Sequence, residues 1–121
     1  MSKFYSFNQN NSGGSFTFDK KKGISHFVII EAESEEQAVS KAETIGLYWD
    51  GCDNGIDCHC CGDRWSKYWV QSSDTPKIYE QDVSEGIFKS SRQWMEKGFE
   101  GFIHYLNGTI KPIAVQKVKG Y

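Results

Sequence analysis

Asn107-Gly108 sits between two runs of alternating apolar residues, Gly101 to Leu106 and Thr109 to Lys117. An Asn-Gly pair in that setting is the strongest short-range hairpin signal, because both positions of a type I′ turn want positive φ. The spacing therefore predicts a C-terminal β-hairpin turning on Asn107 and Gly108. A lone hairpin is only marginally stable in water, so the rest of the chain must supply a sheet for it to join. Pro112 lacks a backbone N–H, which predicts that the last strand is an edge or carries a bulge.

Upstream, the pattern supplies candidates for that sheet. Lys3 to Asn8 alternates, setting Phe4 apart from Tyr5 and Phe7. Ser15 to Asp19 resumes the alternation after a polar loop, and Lys20 to Gly23 turns the chain. His26-Phe27-Val28-Ile29-Ile30 is a continuous apolar run, the pattern of a strand covered on both faces. A helix follows. Ser34 and Gln37 make a capping box, Glu35 and Glu36 suit the positive end of the helix dipole, and Gly46 suits its exit. Ala38, Val39, Ala42 and Ile45 give this helix a narrow apolar stripe that can lie close on a sheet. Arg64 to Gln71 reads as extended, and Ser90 to Lys97 as a short helix. The fold class that results is α+β: an antiparallel sheet of about five strands with one main helix packed on one face.

The chain has 121 residues, enough for a single domain, 1–121, and too few for two ordinary ones. Aromatic residues make up 15% of it and are expected to build most of the core. Fourteen basic residues against 16 acidic ones leave a formal charge of −2. A protein that coats nucleic acid carries a basic excess to displace counterions, so general nucleic-acid binding is disfavoured. No run of about 18 apolar residues is present to cross a membrane as a helix. The first residues lack the apolar stretch of a secretion signal, and the expected setting is reducing cytoplasm, where cysteines serve as thiols or ligands rather than disulfides.

Chemistry-bearing residues concentrate in one place. Asp57-Cys58-His59-Cys60-Cys61-Gly62-Asp63-Arg64-Trp65 holds three of the four cysteines, and Cys52 lies six residues before Cys58. Cys58 and Cys61 have the C-x₂-C spacing with which a tight knuckle turns two thiolates toward one zinc ion. Cys52 and Cys60 are the further candidate ligands, with His59 and His104 behind them. No second C-x₂-C pair completes the set, and the simpler reading makes these small residues the packing of an ordered loop. The spacing also suits a thioredoxin-like redox pair, but no helical pattern follows Cys61. Arg64 beside Trp65 can grip a phosphate or carboxylate and stack a base; a salt bridge to Asp57 or Asp63 is the alternative use of the guanidinium. Asn10, Asn11 and Ser12 offer amides and a hydroxyl to an anion, in a segment that lacks the Lys-Ser/Thr ending of a phosphate-binding loop. No residue set specifies a reaction, so the expectation is a non-enzymatic protein with no catalytic residue assigned and no cofactor beyond a candidate structural zinc.

Asn8-Gln9-Asn10-Asn11-Ser12-Gly13-Gly14-Ser15-Phe16 and Gly55-Ile56-Asp57-Cys58-His59-Cys60-Cys61-Gly62-Asp63-Arg64-Trp65 together resemble a family of small proteins encoded by tailed bacteriophages. The resemblance covers about residues 4–70 and brings no activity with it. What it implies is a setting, the cytoplasm of an infected bacterial host. Small phage proteins of this size often work by binding, either blocking a host protein or sequestering a small nucleotide-like immune signal. The expectation is thus an anti-defence binding protein, with Arg64, Trp65, Asn10, Asn11 and Ser12 as candidate ligand contacts. A zinc-stabilised interaction module is the alternative, and homo-oligomers are a further expectation for an aromatic-rich chain of this size.

Overall fold

The computed structural model describes residues 2–9, 19, 21–49, 51, 65–66, 70–78, 81–90 and 99–117. Within them the order is β1 (Lys3–Asn8), β2 (Phe27–Ala32), α1 (Glu35–Ile45), β3 (Gln71–Ser73), β4 (Lys77–Ile78), β5 (Gln81–Asp82), β6 (Ile87–Ser90), β7 (Phe99–His104) and β8 (Ile110–Lys117). Six strands form one sheet in the order β3-β1-β2-β7-β8-β6, and β4 and β5 form a separate small pair. The α+β class holds in outline, with mostly strands and one described helix. The antiparallel sheet of about five strands does not: the sheet is mixed, with β2 parallel to β7 and β6 parallel to β8. Alternation reports which face a residue takes and says nothing about strand direction. A parallel pair needs a long crossover, and α1 lies within the one that joins β2 to β7.

Each face of the sheet has its own apolar cluster. Tyr5 and Phe7 of β1 stand opposite Ile30 and Val28 of β2, and with Ala32 they meet Ala38 and Ala42 of α1. Both alanines are fully buried, so the helix lies close, as its small stripe requires. The other face carries Phe27, Ile29, Ile103, Ile113 and Phe88, with Ile78 and Val83 packed on it. The continuous run of β2 is explained by this: α1 on one face and the segment of Ile78 and Val83 on the other leave Phe27 to Ile30 all buried. The small β4–β5 pair has no counterpart in the sequence pattern, since strands of two residues have no periodicity to read.

The capping box forms with one shift. Ser34 Oγ accepts from the Gln37 N–H at 3.2 Å, while Gln37 Oε1 accepts from the N–H of Glu33, one residue before the cap, at 2.7 Å. At the helix exit the N–H groups of Gly46 and Leu47 both donate to Ala42 O, at 3.1 and 3.0 Å. The hairpin also forms, but its turn is set one residue earlier than the type I′ turn expected. Gly108 N–H donates to Tyr105 O at 3.0 Å and Tyr105 N–H to Thr109 O at 2.8 Å. Leu106 and Asn107 are therefore the central residues, and Gly108, at φ 92°, takes the left-handed position that follows a type I turn in a hairpin with a glycine bulge. Asn107 Oδ1 accepts from the Thr109 N–H at 2.9 Å and fixes the loop.

β8 is an interior strand, against the edge position that Pro112 suggested. Proline is tolerated there for a local reason. Ala114 N–H donates to Gly86 O on the β6 side, so the backbone groups of Pro112, two residues away, face that same side. The register of β6 begins only at Ile87 opposite Ala114, so β6 has not yet started beside Pro112. An irregularity of register does occur, between Phe99 and Gly101. Ser90, expected to open a short helix, is the last residue of β6; 91–97 lie outside the described residues. Of the strand expected at 15–19, Asp19 is described, in an isolated antiparallel bridge with Ile24. In the stretch read as extended from Arg64 to Gln71, the strand begins at Gln71.

Candidate functional site

β1 ends where the asparagine-rich segment begins, and the first residue past it is fixed twice. Gln9 N–H donates to His26 O at 2.7 Å, and Gln9 Nε2 donates to Ser25 O at 2.9 Å. Gln9 and Ser25 are both buried. The segment returns at Asp19, whose N–H and C=O pair with those of Ile24 at 3.0 and 2.9 Å. Asp19 Oδ1 accepts from the Lys22 N–H at 3.1 Å and tightens the turn that follows.

The cysteine-rich segment leaves from the same end of the sheet. α1 runs back from the Ala32 end of β2, so its exit at Gly46 delivers Leu47 and Trp49 toward Phe7. The rings of Trp49 and Phe7 are 5.6 Å apart and tilted by 31°. The Trp49 indole N–H donates to Glu43 Oε2 at 2.8 Å, which ties the departing chain to the last turns of α1. Gly51 is buried. The chain is next described at Trp65, 2% exposed and in the same apolar cluster as Tyr5, Phe7, Leu47 and Trp49. From there it reaches β3, which pairs with β1 at Ser6 opposite Gln71. Both ends of the cysteine segment and the start of the asparagine segment are thus held at one end of the sheet, on residues that pack as core.

Trp65 is the one predicted ligand contact among the described residues. Its indole is packed in the core, where it can fix the root of the segment but offers no open face for stacking. Arg64, Asn10, Asn11 and Ser12 lie outside the described residues, as do Cys52, Cys58, Cys60, Cys61 and His59. Among the described residues no three of His, Cys, Asp and Glu are grouped so as to hold a metal ion. The residues that sequence reasoning missed are Gln9, Glu43 and Trp49. Trp49 carried a usable signal, an aromatic residue just past a helix-ending glycine; Gln9 carried none, because its partners lie 16 or more residues away.

Two histidines are buried, His26 just before β2 and His104 at the end of β7. His104 Nε2 lies 2.8 Å from Gly23 O; a carbonyl only accepts, so that nitrogen carries the proton. Burial holds the His104 imidazole below its ordinary pKa, with Lys41 adding to the effect and the Gly23 hydrogen bond opposing it. Burial likewise lowers His26. Both rings are therefore neutral near pH 7 and suited to packing and hydrogen bonding rather than to holding an anion.

Residues 2–119 match the family described as Domain of unknown function (DUF7296). The chain belongs to that family. No curated protein and no solved structure matches it. The matched span takes in both motif-bearing segments, the sheet end from which they spring and nearly all of the closing hairpin, so the segments are parts of the family's domain.

Proposed function

We propose that this chain is a non-enzymatic binding protein that acts in the cytoplasm of a phage-infected bacterium. Its two motif-bearing segments would hold a small nucleotide-like immune signal or a surface of a host protein. One observation carries the reading: the asparagine-rich and cysteine-rich segments are rooted together, on Gln9, Trp49 and Trp65, at one packed end of the sheet. Fixing the ends of a recognition segment beforehand reduces the ordering cost that binding must overcome, and binding residues are commonly set on loops carried by a rigid scaffold. The acidic balance of the chain favours a compact ligand over extended nucleic acid.

A thermal-shift panel of cyclic and ADP-ribose-type nucleotides tests the small-ligand form. A ligand at 100 times its Kd raises the stability of the folded state by about 2.7 kcal/mol, enough for a clear rise in Tm. At least one probe is expected to produce it, and Arg64→Ala to abolish it. A flat panel at concentrations near millimolar removes the nucleotide reading in favour of a host protein.

The second reading is a zinc-stabilised interaction module built on Cys52, Cys58, Cys60 and Cys61. It is favoured by the sequence, which sets Cys52, Cys58, Cys60 and Cys61 close together in a segment whose two ends are fixed. Elemental analysis of freshly purified protein separates the two readings. A structural site is nearly full, so zinc below about 0.2 per chain eliminates the module.

A further inference from the structure

Among the described residues β6 is the outermost strand on its side of the sheet. It pairs with β8 in parallel, and the bond from Ala114 N–H to Gly86 O, 2.8 Å long, sets the phase of the ladder. Backbone groups of alternate residues face the partner in such a pair. Phe88 and Ser90 therefore face β8, while Ile87 and Lys89 turn their N–H and C=O groups outward. An outer strand with free groups is a template for another strand.

At Lys89 those groups are already engaged. Lys89 N–H donates to Gln81 Oε1 at 2.7 Å, and Gln81 Nε2 donates to Lys89 O at 3.1 Å. A primary amide carries the same donor and acceptor as a peptide group, so one side chain stands in for a neighbouring strand. Its position is not incidental. Gln81 lies in β5 opposite Ile78; Val83 N–H to Pro76 O continues that pairing and Gly86 N–H to Val83 O closes the turn that follows, both at 2.9 Å. Ile78 and Val83 are buried in the core of that face.

We infer that Gln81 is an edge guard: its amide occupies the outward backbone groups of Lys89 and so prevents β6 from pairing with β6 of a second copy of this chain. The second copy is the occupant because a strand edge can pair antiparallel with its own copy about a two-fold axis, and the sheet beside this edge presents apolar side chains. Ile87, 40% exposed, and the exposed Ala114 stand opposite each other on one face. A two-fold axis through Lys89 would set Lys89 of the two chains opposite each other and Phe88 opposite Ser90 in an antiparallel pair. Two lysines directly opposite repel, and that repulsion acts alongside the amide.

Sedimentation velocity and amide hydrogen exchange on the whole chain test this. In Gln81→Ala the Lys89 amide is expected to lose protection at low protein concentration, and self-association to strengthen by about tenfold or more over the wild-type chain. Adding Lys89→Pro to Gln81→Ala should return association to the wild-type level, because proline offers no outward N–H and the β8 ladder does not use that group. Gln81→Glu, which can accept from Lys89 N–H but cannot donate to Lys89 O, should fall between and provides a milder variant should the alanine chain fold poorly. The inference is overturned if neither Gln81 variant associates more than wild type, if Lys89 stays protected without the amide, or if the association survives Lys89→Pro.

Discussion

Two glycines show how differently one residue type constrains this fold. Gly101 lies in β7 against β2, and a Cβ there would sit 2.6 Å from Phe27 O and 3.1 Å from Phe27 Cβ. The obstacle is backbone, so Gly101→Ala must force the parallel β2–β7 pair apart at the centre of the sheet. The expected loss is about 3 kcal/mol, the upper end for overpacking a well-filled interior. Gly108 has nothing within 4 Å of the added atom but holds φ at 92°. Gly108→Ala should cost only the backbone strain, about 1 kcal/mol. Urea denaturation of the two variants checks the order; equal losses would mean that the β2–β7 spacing yields easily. Gly108 was legible in the sequence because its role is local, whereas nothing near Gly101 announces Phe27, more than 70 positions away.

Among elements, α1 is the one whose limits could be read before its packing was known. Ser34 and Gln37 act within one turn of each other, and the bonds at 3.2 and 2.7 Å follow from local geometry. Ser34→Ala should lower stability by about 1 kcal/mol through the lost cap. Gln37→Ala should do less, since the N–H of Glu33 that it leaves is exposed to water. A urea midpoint unchanged by Ser34→Ala would show that the Ala38 and Ala42 contacts alone hold the helix start. The directions of the strands were not legible. β2 joins β7 across a crossover, and β6 is parallel to β8 because β7 returns between them. Those relations are set by which apolar faces find each other over long separations, such as Ile29 opposite Ile103. β4 and β5 were equally hidden, being held by Ile78 and Val83 against a distant face.

At the scale of the molecule, the sequence marked the two segments that carry unusual chemistry but not what holds them. Trp65 reads as a partner for Arg64 when only its neighbour is visible; its apolar cluster draws Tyr5 and Phe7 from β1 and Trp49 from beyond α1. His26 and His104 are buried as well, and this makes global stability depend on pH. Each folded-state pKa is depressed by burial, so the unfolded chain takes up protons first as pH falls. Stability is then fully present above the ordinary histidine value of about 6.5 and declines below it, levelling once the folded state also protonates. Glu31 is lowered chiefly by the hydrogen bond from the Leu106 backbone, and Asp82 chiefly by that from the Ser84 side chain. Their contributions are present above ordinary carboxylate values and are lost only as pH falls through the lowered ones, well under the histidine range. Urea melts between pH 7.5 and 5.5 therefore isolate the histidines. Stability should hold between pH 7.5 and about 6.5 and fall below it, and His104→Gln should flatten that fall by the share that His104 carries. A slope that is absent, or unchanged in His104→Gln, would mean that His104 protonates in the folded chain as readily as in the unfolded one, against its packing beneath Gly23.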